Sequence, residues 1–101
     1  MVRNRIFLYS EEKGETGEKE LRVPVNVSMI KIENQGSGTV TVTGTTNKDK
    51  VQFYAIGGIK ANDFSTVLTY PNGLYNIETS GLEYMRFNLD TASNVYITLI
   101  G

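Results

Sequence analysis

Apolar and polar residues alternate most regularly over residues 72–101. In residues 82–90, Met85, Phe87 and Leu89 fall on one side, and Tyr84, Arg86 and Asn88 on the other. Val95, Ile97 and Leu99 repeat the pattern, and a shorter run, 74–79, precedes both. Turn residues separate the runs at Pro71-Asn72-Gly73, at Ser80-Gly81 and over residues 91–94. Proline presets φ and Asn-Gly tolerates positive φ, so each break has a local cause. A period of two predicts half-buried antiparallel strands, not helices.

Weaker copies of the pattern lie upstream. Residues 29–34 turn Ile30 and Ile32 inward and Lys31 and Glu33 outward, and residues 39–43 alternate valine with threonine. Residues 50–56 set Val51, Phe53 and Ala55 on one face, and residues 64–70 lead into the Pro71 turn. Residues 21–27 are valine-rich but contain Pro24, which cannot donate to a ladder and so predicts an edge or a bulge. Residues 3–10 are apolar on both faces, with Phe7 and Tyr9 on one and Ile6 and Leu8 on the other. That suits an internal strand or an arm covered by another chain. Residues 11–20 hold five glutamates, two lysines, Gly14 and Gly17 without periodicity, which predicts an exposed, mobile acidic loop.

The total is about nine short strands at intervals of roughly 8–12 residues, the spacing of a sandwich or barrel. The expected architecture is a single all-β domain over residues 1–101. Residues 1–20 form its arm and acidic loop. The rest is an antiparallel β-sandwich of jelly-roll type, with an immunoglobulin-like topology as the alternative. Its predicted core is Val40, Val42, Phe53, Met85, Phe87, Leu89, Val95, Ile97 and Leu99.

Composition narrows the chemistry. The chain has 101 residues, no cysteine and no histidine. Disulfides, thiolate catalysis, cysteine-ligated metals and the usual general base near neutrality are therefore excluded. A net charge of −1 supplies no basic field for nucleic acid or anionic lipid. The N-terminus is basic, but its only apolar run, residues 6–9, is too short for a signal peptide core or a membrane span.

Among catalytic options, Ser28 with Lys31 and Ser65 with Lys60 lack a recognisable context for a serine–lysine pair. Glu33, Asp49, Asp63, Glu78, Glu83 and Asp90 occupy turns or outward strand positions, where a solvated carboxylate is the ordinary outcome. The acidic run lacks the spacing of a calcium loop, and Gly57-Gly58 before Lys60 lacks the rest of a phosphate-binding loop. Asn26-Val27-Ser28 matches a glycosylation acceptor without a secretory signal. A non-enzymatic domain without metal or cofactor is expected. Its six tyrosines leave one binding alternative: Tyr54, Tyr84 and Tyr96 face away from inward residues and could stack on a sugar ring, as in carbohydrate-binding modules.

Three segments carry a family likeness. They are residues 73–77 (Gly-Leu-Tyr-Asn-Ile), residues 80–87 (Ser-Gly-Leu-Glu-Tyr-Met-Arg-Phe) and residues 93–97 (Ser-Asn-Val-Tyr-Ile). Together they resemble the C-terminal part of small phage and prophage structural proteins, and residues 51–55 fit the preceding strand. The likeness covers about half the chain and departs at Ile56-Gly57-Gly58, where those proteins often carry a turn ending in tryptophan. The resemblance implies a β-sandwich in an accessory role at the tail, collar or capsid of a particle, reached after synthesis in the host cytoplasm. Its partners would be further copies of itself and other virion proteins, with no nucleic acid and no membrane. The residues expected to make contacts are Ile6, Phe7, Leu8 and Tyr9 of the arm, and Arg86, which could pair with Glu78, with Glu83 or with another subunit. A monomeric domain with a different partner is the remaining possibility.

Overall fold

The computed structural model describes residues 3–101 and is built from strands: among these residues no helix is long and apolar enough to cross a membrane. Met1 and Val2 of the basic N-terminal run lie outside the described residues. The strands are β1 (Arg3–Tyr9), β2 (Gly17–Arg22), β3 (Met29–Asn34), β4 (Val40–Thr45), β5 (Tyr54–Ala55), β6 (Gly58–Lys60), β7 (Thr66–Val67), β8 (Thr69–Tyr70), β9 (Gly73–Glu78), β10 (Tyr84–Leu89) and β11 (Val95–Ile100). They form two antiparallel sheets. One has six strands in the order β1-β11-β3-β9-β6-β7; the other has five, β2-β10-β4-β5 with β8 also on β4.

The long strands alternate between sheets along the chain, giving β1-β11-β3-β9 on one side and β2-β10-β4 on the other. This is the jelly-roll connectivity, and it selects between the two topologies expected from the sequence. β10 and β11, the runs with the best alternation, are interior strands, because their inward stripes need cover on one face and partners on both edges.

The core lies between the sheets. Val40 and Val42 meet Met85, Phe87 and Leu89 from the five-stranded sheet, and Ile30, Ile32, Tyr75, Ile77, Val95, Ile97 and Leu99 face them. Of the buried polar side chains, Thr79 keeps a hydroxyl with no hydrogen-bond partner among the described residues, whereas Asn34 is well satisfied. Asn34 donates to the carbonyls of Gly38 (2.8 Å) and Tyr70 (3.0 Å), which pins the turn between β3 and β4. Gly58 admits no side chain: a Cβ there would come within 2.8 Å of the Asn76 carbonyl oxygen and 2.9 Å of the Tyr70 hydroxyl.

Four expectations change. First, Phe53 is not in the core. Only Tyr54 and Ala55 of the 50–56 run pair with β4, and Phe53 lies half-buried with the Arg86 guanidinium 3.8 Å from its ring centroid. Second, the 64–70 run is two separate two-residue strands. The chain crosses from the six-stranded sheet at β7 to the five-stranded sheet at β8. Third, the acidic stretch is not one loop, since Gly17 to Glu20 belong to β2 on the edge of the five-stranded sheet. Pro24 follows the end of that strand, consistent with its missing donor.

Fourth, Phe7 and Tyr9 do not share a face. The register slips between them, from Phe7 opposite Tyr96 to Tyr9 opposite Val95. A bulge of this kind inserts one residue and re-aims the next side chain. Ile6 and Leu8 stay half-buried against the core, Phe7 points outward, and Tyr9 becomes fully buried.

Candidate functional site

The two outward sheet faces carry the interactions open to a partner, and each is organised by an arginine. On the six-stranded face, Arg5 of β1 lies 3.8 Å from the ring centroid of Tyr96 on β11 and reaches Glu33 on β3 at 3.2 Å. Phe7, two residues along β1, stacks on the same tyrosine. Glu33 also accepts from Gln35 at 2.6 Å, and the Gln35 and Arg5 hydrogen bonds hold its carboxyl below the usual range.

On the five-stranded face, Arg86 of β10 donates from Nε to Glu20 of β2 at 3.1 Å and lies 3.9 Å from Glu18. Lys50 reaches Glu20 at 2.7 Å and sits 4.2 Å from the ring centroid of Tyr84. Lys50 adopts φ 55°, the left-handed region, which for a side-chain-bearing residue is uncommon. Together Lys50 and Phe53 fasten an unpaired stretch of chain across the sheet. The two glutamate pairings expected of Arg86 are therefore corrected. Glu78 belongs to the other sheet, and Glu83 is held by Arg22 at 3.0 Å. The side chain that the sequence presents as a contact for another subunit is engaged within its own face.

The arm residues divide in the same way. Tyr9 donates its hydroxyl between the carbonyls of Gly17 (2.6 Å) and Phe87 (3.0 Å), and burial raises its pKa to about 12. Lys19 lies over the Tyr9 ring and donates to the Leu8 carbonyl at 2.6 Å. β1 is thereby stitched to its own domain, and Phe7, at 50% exposure, is the large apolar side chain it offers outward. The free long edge of β1 carries Arg3 and Arg5, charges of the kind that discourage indiscriminate strand pairing.

The tyrosines are not brought together. Tyr84 and Tyr96 lie on different sheets, the first beside Lys50 and the second between Arg5 and Phe7. Tyr54, 62% exposed, lies on the short strand β5 of the same sheet as Tyr84, two strands away and in register with Met85 through Gly44. The carboxylates are scattered too. Asp63 caps its own turn through Ser65, and Asp90 accepts from the Thr39 amide at 2.7 Å. Among the described residues no three acidic side chains converge on a metal-sized space.

A groove between β3, β9 and β6 escaped sequence reasoning, because its walls come from segments far apart in the chain. The only local signal was the Gly57-Gly58 pair.

No protein-family profile and no curated protein sequence matches the chain. Among solved structures, the SPBc2 prophage-derived protein YomS matches over the whole of this chain and 96% of its own, with a TM-score of 0.72 and 12% identity. The PBSX exported protein XepA also matches over the whole chain, with a TM-score of 0.75 and 16% identity, but the match spans 39% of that longer protein. At such identities the likeness is one of architecture, and the chain has the fold seen in these two prophage-derived proteins.

Proposed function

We propose that the chain is a non-enzymatic structural or assembly component of a phage or prophage particle, acting through protein–protein contacts. The observation that carries this reading is the end-to-end match to YomS, which leaves almost none of either chain over. The likeness of residues 73–97 to small phage structural proteins, read from sequence, points the same way. The outward faces support a role in contacts, since their charged and aromatic side chains are held in fixed positions by pairs and stacks. A fixed side chain has less entropy to lose when a partner binds. Contacts would be made by these faces and edges and not by a detached arm, because β1 pairs with β11 along its length. Several weak contacts repeated around a particle would add through avidity.

The sugar-binding alternative has less support, as Tyr84 and Tyr96 occupy different sheets and only Tyr54 and Tyr84 share one. The test is quantitative mass spectrometry of density-purified particles from a cell that encodes the chain. The expected result is a constant copy number per particle across preparations. A chain left wholly in the soluble fraction would contradict the proposal.

A further inference from the structure

The groove on the six-stranded face has a volume of about 410 Å³. Met29 of β3 and Ile59 of β6 form apolar walls, Gly57 and Gly58 line it without side chains, and Asn76 and Glu78 of β9 run along it. The register sets hydrocarbon against polar groups: Met29 lies opposite Glu78, and Ile59 opposite Asn76. Both apolar residues are open to solvent, at 36% and 45% exposure.

Glu78 differs from the other outward glutamates of the strands. Glu18, Glu20 and Glu33 all have arginine or lysine partners, whereas Glu78 has no ion pair among the described residues. Lys31, on the adjacent strand and the same face, is engaged with the side-chain oxygen of Asn76 at 2.7 Å. The groove thus ends at an exposed carboxylate with no cation of its own.

We propose that this groove receives an arginine side chain presented by a partner protein, with its stem between Met29 and Ile59 and its guanidinium on Glu78. An apolar channel leading to an unpaired carboxylate complements a side chain with a hydrocarbon stem and a cationic head. Arginine fits better than lysine because its planar fork can engage both carboxylate oxygens and is more weakly hydrated. Arginine is also enriched at protein interfaces, where lysine is depleted. The inference deepens the contact-making reading given above. Its test uses the isolated full-length chain, so either can fail without the other.

The test is a titration of the ¹⁵N-labelled chain with a blocked Gly-Arg-Gly peptide and with its citrulline counterpart, a neutral isostere. The arginine peptide is expected to shift the amides of Gly57, Gly58, Ile59 and Glu78. Binding should weaken on the order of tenfold with citrulline, as for loss of a charge-assisted hydrogen bond. Glu78→Gln should abolish the preference for arginine, and Glu12→Gln, in the exposed turn after β1, should leave it intact. Equal binding of the two peptides, no shifts at these amides, or an unchanged preference in Glu78→Gln would overturn the proposal.

Discussion

The rings of Phe7 and Tyr96 are stacked, with centroids 4.5 Å apart and planes 13° from parallel, directly opposite each other on β1 and β11. A stacked cross-strand pair is worth about 0.5–1.5 kcal/mol beyond the area it buries. Phe7→Ala and Tyr96→Ala, made singly and together, should therefore show a coupling energy of about 0.5–1.5 kcal/mol in urea unfolding. Strict additivity would show that the stack contributes nothing.

Two phenylalanines separate the core from its surface. Phe87 is fully buried and Phe53 is half-buried beneath Arg86. Phe87→Ala should cost about 3–5 kcal/mol, because it leaves a cavity that the sandwich cannot close. Phe53→Ala should cost about 1 kcal/mol, the size of a cation–π contact at an exposed site. Equal losses in denaturant melts would contradict this placement.

That contrast also shows what the sequence can report. Phe87 sits in a strand with neighbours on both edges and one covered face, so its surroundings impose the period of two. Phe53 precedes a strand of two residues, where tertiary contacts decide, and its alternation with Val51 and Ala55 is coincidental. β2 is hidden for another reason. Its inward Lys19 holds its ammonium 4.9 Å from the Tyr9 ring centroid and donates it to the Leu8 carbonyl, a task that hydropathy scores as a charge in a loop. The bulge at β1 leaves no signature in the apolar run. The groove at Glu78 needs β3, β6 and β9 side by side, and pairings of such sequence separation are invisible to a local pattern.

Acid should loosen the five-stranded face. Hydrogen bonds from Lys50 and then Arg86 hold the Glu20 carboxyl below its ordinary value of 4.5. Its folded pKa thus lies below its unfolded one. The stabilisation is present above the unfolded value and is lost as pH falls through the folded one. Carboxyl ¹³C NMR titration should show the Glu20 midpoint rising toward 4.5 in Lys50→Met, and further in the double variant with Arg86→Met. An unmoved midpoint would mean that neither cation holds it.

Alkali acts through Tyr9 with the opposite sign. Burial raises its hydroxyl from 10.0 to about 12. The stability this represents is complete below pH 10.0 and is lost as pH rises to about 12. The fall in Tm between these values should be smaller in Tyr9→Phe than in the parent chain. An identical pH dependence would assign the alkaline loss to other groups.

We propose that this chain works by touching other proteins of a particle. Chemical cross-linking of intact purified particles, read by mass spectrometry, tests it most directly. Lys13 and Lys48, both exposed, and Lys31 on the six-stranded face give the reagent positions on different parts of the surface. The expected result is reproducible links from these lysines to other particle proteins or to a second copy of the chain. Particles that contain no trace of the chain, or only links within a single copy, would contradict the account.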